Sequence, residues 1–150
     1  MRLSKNFTLV EFTKSSTAVR LGIDNTPSQE VIENLRLLVD VVLQPLADGL
    51  KKPITISSGY RSPRLNTAIG GATNSQHVLG LAADIEVAGM SNYDLAAYIR
   101  DNLKFDQLIL EFYTPGDPSS GWVHVSVSRK NFRQEVLTIG NTIRKAGLHA

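Results

Sequence analysis

The sequence contains no cysteine. This absence excludes disulfide bonds, thiolate zinc sites and cysteine nucleophiles, so any metal ion must be held by nitrogen and oxygen ligands. The chain also lacks a continuous apolar segment long enough for a membrane span or a signal peptide, including in its opening residues, MRLSKNFTLVEF. We therefore expect a protein that is made in the cytoplasm without a signal peptide and does not insert into membranes.

A strong excess of charge of either sign is also absent. Sixteen basic and 14 acidic residues leave a formal net charge of +2, which creates no general field for nucleic acid, and we expect no nucleic-acid partner. With 150 residues, 42% of them hydrophobic, the chain can bury one substantial core. We expect a single domain over residues 1–150 and a monomer.

Capping residues and apolar periodicity predict the helices. Thr26-Pro27-Ser28-Gln29 offers a cap residue, a proline at the first helical position and a capping-box glutamine. Apolar residues then recur at helical spacing, which predicts a helix over residues 28–50 with a bend at Pro45. Two further helices are predicted, each opened by a serine: Ser62 to Gly70, and Ser91 to about Asn102.

Short runs rich in β-branched residues predict strands, most of them in the last third of the chain. The predicted strands are Pro53–Gly59, Asp84–Val87, Gln107–Tyr113, Trp122–Val127 and Glu135–Ile139. Helices followed by a run of strands favour an α+β fold, with helices on one face of an antiparallel sheet. The other face is where a functional site is expected.

Alternation along the strands assigns residues to the two faces of the sheet. Val123, Val125 and Val127 form an apolar stripe for the core, which puts Trp122, His124 and Ser126 on the opposite face. The same rule groups Leu108, Leu110 and Phe112 on one side of the preceding strand and Glu111 and Tyr113 on the other. Glu111 and His124 can therefore share a face.

Only three histidines are present, and two of them lie near potential metal ligands. A chain reversal at Gly80 would bring His77 towards Asp84, and His124 could complete a set of three. Two imidazoles and one carboxylate with an open position match a catalytic zinc site, and Glu111 is the available general base. Taken singly, each histidine is more often a structural residue, and His149 is read as a tail residue.

The pattern Ser75-x-His77-x-x-Gly80-x-Ala82-x-Asp84, followed by Trp122-x-His124, resembles the D-alanyl-D-alanine carboxypeptidase family of zinc peptidases. This family, of the peptidase M15 type, acts on bacterial cell-wall peptides and includes phage endolysins. Ser57-Ser58-Gly59-Tyr60-Arg61-Ser62 and the segments FTLVEF and IDNTP extend the resemblance over all but about the last dozen residues. The signalling domain of Hedgehog proteins has a similar zinc site.

The resemblance implies that one zinc ion is held by His77, Asp84 and His124. It also implies that Arg61 grips a substrate carboxylate, as a guanidinium fork can, and that Ser75 hydrogen-bonds the substrate. The single tryptophan, Trp122, is a candidate substrate contact, although such a residue more often serves packing.

One position departs from the family pattern. Many relatives carry the catalytic glutamate in a Glu-x-x-His arrangement, where this chain has Gly121. Hedgehog domains carry theirs on the preceding strand, in a stretch resembling FDQLILEF, and that comparison selects Glu111. The expected function is a zinc peptidase that cleaves peptidoglycan stem peptides at the cell wall, after release if it is an endolysin; D-Ala-D-Ala and L-Ala-D-Glu bonds both remain open. The alternative is a non-catalytic, zinc-stabilised module that binds cell wall or belongs to a virion.

Overall fold

A computed structural model describes residues 1–141 and 143–150. The helices are α1 Leu9–Thr13, α2 Ser16–Leu21, α3 Gln29–Leu38, α4 Gln44–Leu50, α5 Pro63–Ala68 and α6 Asn92–Asn102, with a π-helical turn over Val39–Leu43 and a 3-10 helix over Gln76–Leu79. The strands are β1 Thr55–Ser58, β2 Ala82–Glu86, β3 Gln107–Glu111, β4 Trp122–Ser126, β5 Glu135–Ile139 and β6 Arg144–Ala146. Within the described residues, every helix is too short or too polar to cross a bilayer.

The strands form one six-stranded sheet in the order β1-β2-β4-β3-β5-β6. The α+β fold is confirmed, but the expectation of a purely antiparallel sheet is wrong, because β5 runs parallel to β3. The reason is topological. Strand β4 ends beside the start of β3, and the chain then passes to the far side of β3, so that β5 starts at the same end as β3. Strand β6 follows as an antiparallel edge that the sequence patterns did not predict.

The predicted helix over residues 28–50 is observed, with an irregular centre. Ser28 is the N-cap and accepts a hydrogen bond from the backbone N–H of Val31, so the predicted cap at Thr26 is wrong by two residues. The expected disturbance near Pro45 takes the form of the π-helical turn, in which the Gln44 N–H donates to Val39 O. A proline inside a helix removes one hydrogen bond and crowds the preceding turn, which favours such a local rearrangement.

The core lies between this long helical segment, helix α6 and one face of the sheet. Val123, Val125 and Val127 are fully buried there, as alternation predicted, and they belong to the same apolar cluster as Leu35 and Leu38 of α3. Because the valines of β4 face the helices, the intervening residues of β4 face the opposite side of the sheet. That opposite face carries the functional groove.

Alternation along β3 fails at its last predicted residues. Phe112 has a backbone φ of +50° and is 60% exposed, whereas Tyr113 is only 2% exposed. The left-handed conformation at Phe112 ends the strand and exchanges the faces of the two aromatic residues. The prediction that Phe112 faces the core and Tyr113 faces the site is therefore wrong.

Candidate metal centre and peptide groove

Asp84 and His124 face each other across two neighbouring strands. They are directly paired in the antiparallel register of β2 and β4, so their side chains emerge on the same face of the sheet. His77 arrives from the 3-10 helix, which ends at Gly80 in the left-handed conformation (φ 75°), where the chain turns into β2. The predicted reversal at Gly80 is confirmed, although His77 lies on a helical turn and not on a strand.

The three side chains form one compact cluster. Asp84 Oδ1 lies 3.2 Å from His77 Nε2 and 3.2 Å from His124 Nδ1, and one donor atom from each residue lies within 4.8 Å of the others. Four ligands about 2.0 Å from a zinc ion stand about 3.3 Å apart along the edges of a tetrahedron. The two separations of 3.2 Å match that edge.

Hydrogen bonds orient the cluster from behind. His77 Nδ1 lies 2.8 Å from Gly59 O, to which it can donate, and this interaction leaves His77 Nε2 free to act as a ligand. His124 Nε2 is buried and has no hydrogen-bond partner among the described residues. The other ring nitrogen, His124 Nδ1, lies 3.2 Å from Asp84 Oδ1 and is the ligand atom of this arrangement. With two imidazoles and one carboxylate, the residues fit zinc.

The protonation states favour metal binding. Burial lowers the pKa of His77, which keeps the imidazole neutral and its lone pair available. Burial by itself would raise the pKa of Asp84, but the close contacts of its carboxylate with His124 and His77 outweigh that effect and hold the pKa of this carboxyl well below its ordinary value. Asp84 therefore stays ionised over the whole physiological pH range.

Glu111 lies at the end of β3, opposite Trp122 of β4, on the same face as the cluster. Burial raises the pKa of Glu111, and the charge of His124 is the strongest influence acting in the other direction. A carboxyl group with a raised pKa holds a proton more readily than an exposed one, which suits a residue that accepts a proton and returns it.

Position 121 cannot carry the glutamate that many relatives have there. Gly121 has a φ of +67°, and a Cβ atom on it would overlap the carbonyl oxygen of Glu111. A side chain at this position would be strained by its backbone conformation and would collide with β3. The fold therefore excludes the Glu-x-x-His arrangement in this chain.

The cluster lies in an open groove with a volume of about 880 Å³. Every site residue selected from the sequence lines this groove: Arg61, Ser75, His77, Asp84, Glu111, Trp122 and His124. His149 lies outside it, near Ala146 O, as expected for a tail residue. The geometry thus brings all the selected side chains together, while their roles stay predictions.

Arg61 stands at the β1 end of the groove. Its backbone N–H donates to His77 O over 3.1 Å, which links Arg61 to the cluster of candidate metal ligands. Asn25 of the IDNTP segment supports this turn, because its Oδ1 accepts from the Ser62 N–H and its Nδ2 donates to Tyr60 O. Burial lowers the pKa of Arg61, and its Nε is buried without a partner among the described residues. Such a guanidinium has donor capacity left for a ligand.

Ser75 and Trp122 have structural duties of their own. Ser75 Oγ accepts a hydrogen bond from the His77 N–H and caps the 3-10 helix. Trp122 stacks on Phe112 with ring centroids 4.8 Å apart. Both residues border the groove, so a contact with substrate remains compatible with these roles.

Sequence patterns missed several residues that shape the groove. Gln76, which no pattern selected, donates to Asp106 Oδ2 over 2.9 Å and to Val127 O, and thereby anchors the turn that carries His77. Phe112 is missed because nothing in its local sequence indicates a positive φ. Leu137, Ile139 and Arg144, on β5 and β6, line the far end of the groove.

Comparisons with known proteins agree with this geometry. A segment of 58 residues, 39% of this chain, is 40% identical to the zinc D-Ala-D-Ala carboxypeptidase of Streptomyces albus G, and the match spans 22% of that protein. The model of the peptidase M15 family matches residues 5–126, which include all the groove residues named from the sequence. Because this match covers well over half of the chain, the protein belongs to the peptidase M15 family.

Proposed function

We propose that this protein is a zinc peptidase that hydrolyses a peptide bond in the stem or cross-link of peptidoglycan. The observation that carries the proposal is the cluster of His77, Asp84 and His124, with its two separations of 3.2 Å, beside the partly buried carboxyl of Glu111. Family membership and the partial identity to a zinc D-Ala-D-Ala carboxypeptidase support the same chemistry. A zinc ion held there would supply Lewis acidity, which polarises a carbonyl and activates water near neutral pH.

The side chains divide the remaining work. Arg61 and Ser75 orient the peptide, and the guanidinium of Arg61 pairs with a substrate carboxylate. The ionised Glu111 takes a proton from the attacking water as the water oxygen bonds to the scissile carbonyl carbon. Glu111 then gives that proton to the amine nitrogen as the carbon–nitrogen bond breaks, so the carboxylate is regenerated.

The proposal is tested with defined muropeptides, a pentapeptide stem and a cross-linked dimer, analysed by mass spectrometry. Zinc-loaded protein is expected to release a fragment whose mass identifies the bond, and chelation is expected to stop the reaction until zinc is restored. A D-Ala-D-Ala carboxypeptidase and an endolysin-type endopeptidase release different fragments. Folded, zinc-loaded protein that releases no fragment would favour the non-catalytic binding module instead.

The role of Glu111 is tested by the variant Glu111→Gln. The amide keeps the size of the side chain but cannot accept the proton, so turnover should fall by about 100-fold or more while the zinc content stays unchanged. Glu86→Gln, at the exposed end of β2, is the matched control and should retain full activity. A Glu111→Gln variant with near-normal turnover would exclude Glu111 as the base.

A further inference from the structure

The groove continues beyond Glu111 across two more strands. On one side, Glu111 pairs with Trp122 of β4. On the other side, Leu110 pairs with Thr138 of β5, so the next residues along the two parallel strands, Glu111 and Ile139, are neighbours. Ile139 is in turn paired with Arg144 of β6. Trp122, Glu111, Ile139 and Arg144 therefore form one lateral row on the groove face, and all four line the groove. With strands about 4.8 Å apart, Arg144 stands roughly 10 Å from Glu111 along the row.

Two arginines, Arg133 and Arg144, lie at this end of the groove, and only Arg144 lacks an ion pair with a described residue. The guanidinium of Arg133 is engaged by Asp106, with one nitrogen 2.9 Å from each carboxylate oxygen, and it also lies 3.7 Å from Glu135. Arg144 is exposed and has no carboxylate within 4.0 Å among the described residues. Beside it, Ile139 and Leu137 provide an apolar floor that is only partly buried.

The residues of β5 and β6 that line this end of the groove lie outside the segment that the family model matches. The match ends at Ser126, the last residue of β4, whereas Leu137, Ile139 and Arg144 lie on β5 and β6. The metal cluster and Arg61 belong to the matched part. Arg61 stands at the β1 end of the groove and Arg144 at the β6 end, so cationic groups flank the metal cluster on both sides.

We propose that Arg144, with Ile139 and Leu137, forms a subsite for a carboxylate-bearing residue of the peptide substrate on the Glu111 side of the metal cluster. The inference rests on the proposed function, since it names part of the substrate of the same groove. Charge complementarity selects an anionic occupant, and continuity with the metal groove selects the peptide being cleaved. A substrate held at both ends extends to both sides of the scissile bond, as a stem or cross-link peptide does.

The test compares Arg144→Gln with Lys145→Gln. Lys145 is the next residue of β6 and has the same charge, but alternation directs it to the other face of the sheet, so it is the matched control. The substrates are a cross-linked muropeptide dimer and the same dimer with its carboxylates converted to carboxamides. On the acidic dimer, Arg144→Gln should raise KM about fivefold with little change in kcat, the upper range for one exposed ion pair, and the effect should shrink at high salt.

The amidated dimer lacks the carboxylate that Arg144 would bind, so the two proteins and the two substrates together form a double-mutant cycle for this one contact. On this substrate Arg144→Gln and the unchanged protein should have equal KM values, and Lys145→Gln should match the unchanged protein on both substrates. An Arg144→Gln KM within twofold of the unchanged value on the acidic dimer would overturn the subsite while leaving the peptidase activity intact.

A binding measurement separates the subsite from the peptidase activity. Zinc-loaded Glu111→Gln protein, with and without Arg144→Gln, is titrated calorimetrically with the acidic dimer. Weaker binding in the double variant supports the subsite even if the unchanged protein releases no fragment, in which case only the proposed function fails. Equal binding by the two proteins, or no binding by either, overturns the subsite.

Discussion

At the scale of single residues, the position of Glu111 depends on a glycine. Gly121 adopts a left-handed conformation at the start of β4, and its α-carbon lies so close to β3 that a Cβ atom would overlap the carbonyl oxygen of Glu111. The absence of a side chain at position 121 therefore lets β3 and β4 approach each other where Glu111 and Trp122 pair. The close approach that leaves no room for a side chain at position 121 also places Glu111 beside Trp122.

Gly121→Ala should therefore be much more disruptive than an alanine at another left-handed glycine. Gly116 has a φ of +88°, and a Cβ atom there would have nothing within 4 Å, so Gly116→Ala carries only the conformational cost, about 1 kcal/mol. Gly121→Ala adds a collision with the backbone and should cost about 3 kcal/mol in total. Urea unfolding of both variants measures the difference, and equal losses would contradict the close approach.

At the scale of elements, helix α6 holds the loop between β3 and β4. Asn92, in the first turn of α6, is almost fully buried, and its Nδ2 donates to the backbone oxygens of Ser119, Ser120 and Gly121 over 2.8–3.2 Å. The loop leads directly into Trp122 and the site face of β4. A helix on the core side of the sheet thereby positions residues on the groove side.

Asn92→Asp should loosen this loop without weakening the helix. Aspartate is favourable in the first turn of a helix, but it cannot donate to the three carbonyls, and the loss should be about 2 kcal/mol. The fluorescence of the single tryptophan, Trp122, should shift because its surroundings change. Asn102→Asp, at the exposed end of the same helix, is the control and should cost less than about 1 kcal/mol with unchanged fluorescence. The same fluorescence shift in both variants would contradict the proposed coupling.

At the scale of the whole molecule, Asp106 joins three distant parts of the chain. Its carboxylate accepts two hydrogen bonds from the Arg133 guanidinium, one from the Arg133 backbone N–H and one from Gln76 Nε2. These bonds connect the start of β3, the β4–β5 connection and the turn that carries His77. The Arg133 hydrogen bond holds the pKa of Asp106 below its ordinary value, although burial acts in the opposite direction.

This network should contribute to stability in a pH-dependent manner. Because the pKa is lower in the folded state, the contribution is fully present above the unfolded value of about 3.9 and is lost as the pH falls through the folded value. Asp106→Asn should cost about 2 kcal/mol at pH 7, and the difference from the unchanged protein should shrink below about pH 4. Urea unfolding of chelated protein, repeated at several pH values from about 3 to about 7, measures this difference without interference from metal release.

The exposed carboxylate of Asp101 provides the control. The hydrogen bond from Arg100 also lowers the pKa of Asp101, but this pair is open to solvent. Exposed pairs of this kind contribute little, so Asp101→Asn should leave the unfolding curves unchanged at every pH. A difference between Asp106→Asn and the unchanged protein that does not depend on pH would contradict the ionised network.

The local patterns predicted those features that depend on near neighbours in the chain. Capping residues and apolar spacing indicated the long helix, α5 and α6, and alternation put the valines of β4 in the core and His124 on the other face. The same patterns failed where a distant contact overrides local preference. Phe112 leaves the alternation through a left-handed backbone conformation that lies against Gly121, and β6 is defined by its pairing with β5; local patterns indicate neither contact.

The sequence by itself determined the chemistry available to the protein. Without cysteine it left only nitrogen and oxygen ligands, and it singled out two histidines, one aspartate and one glutamate for the site. The tertiary structure alone decided that these side chains meet within one groove and that Arg144 lies in the same row as Glu111. The physical reason is that periodicity assigns a residue to a face, whereas strand order and register decide which faces become neighbours.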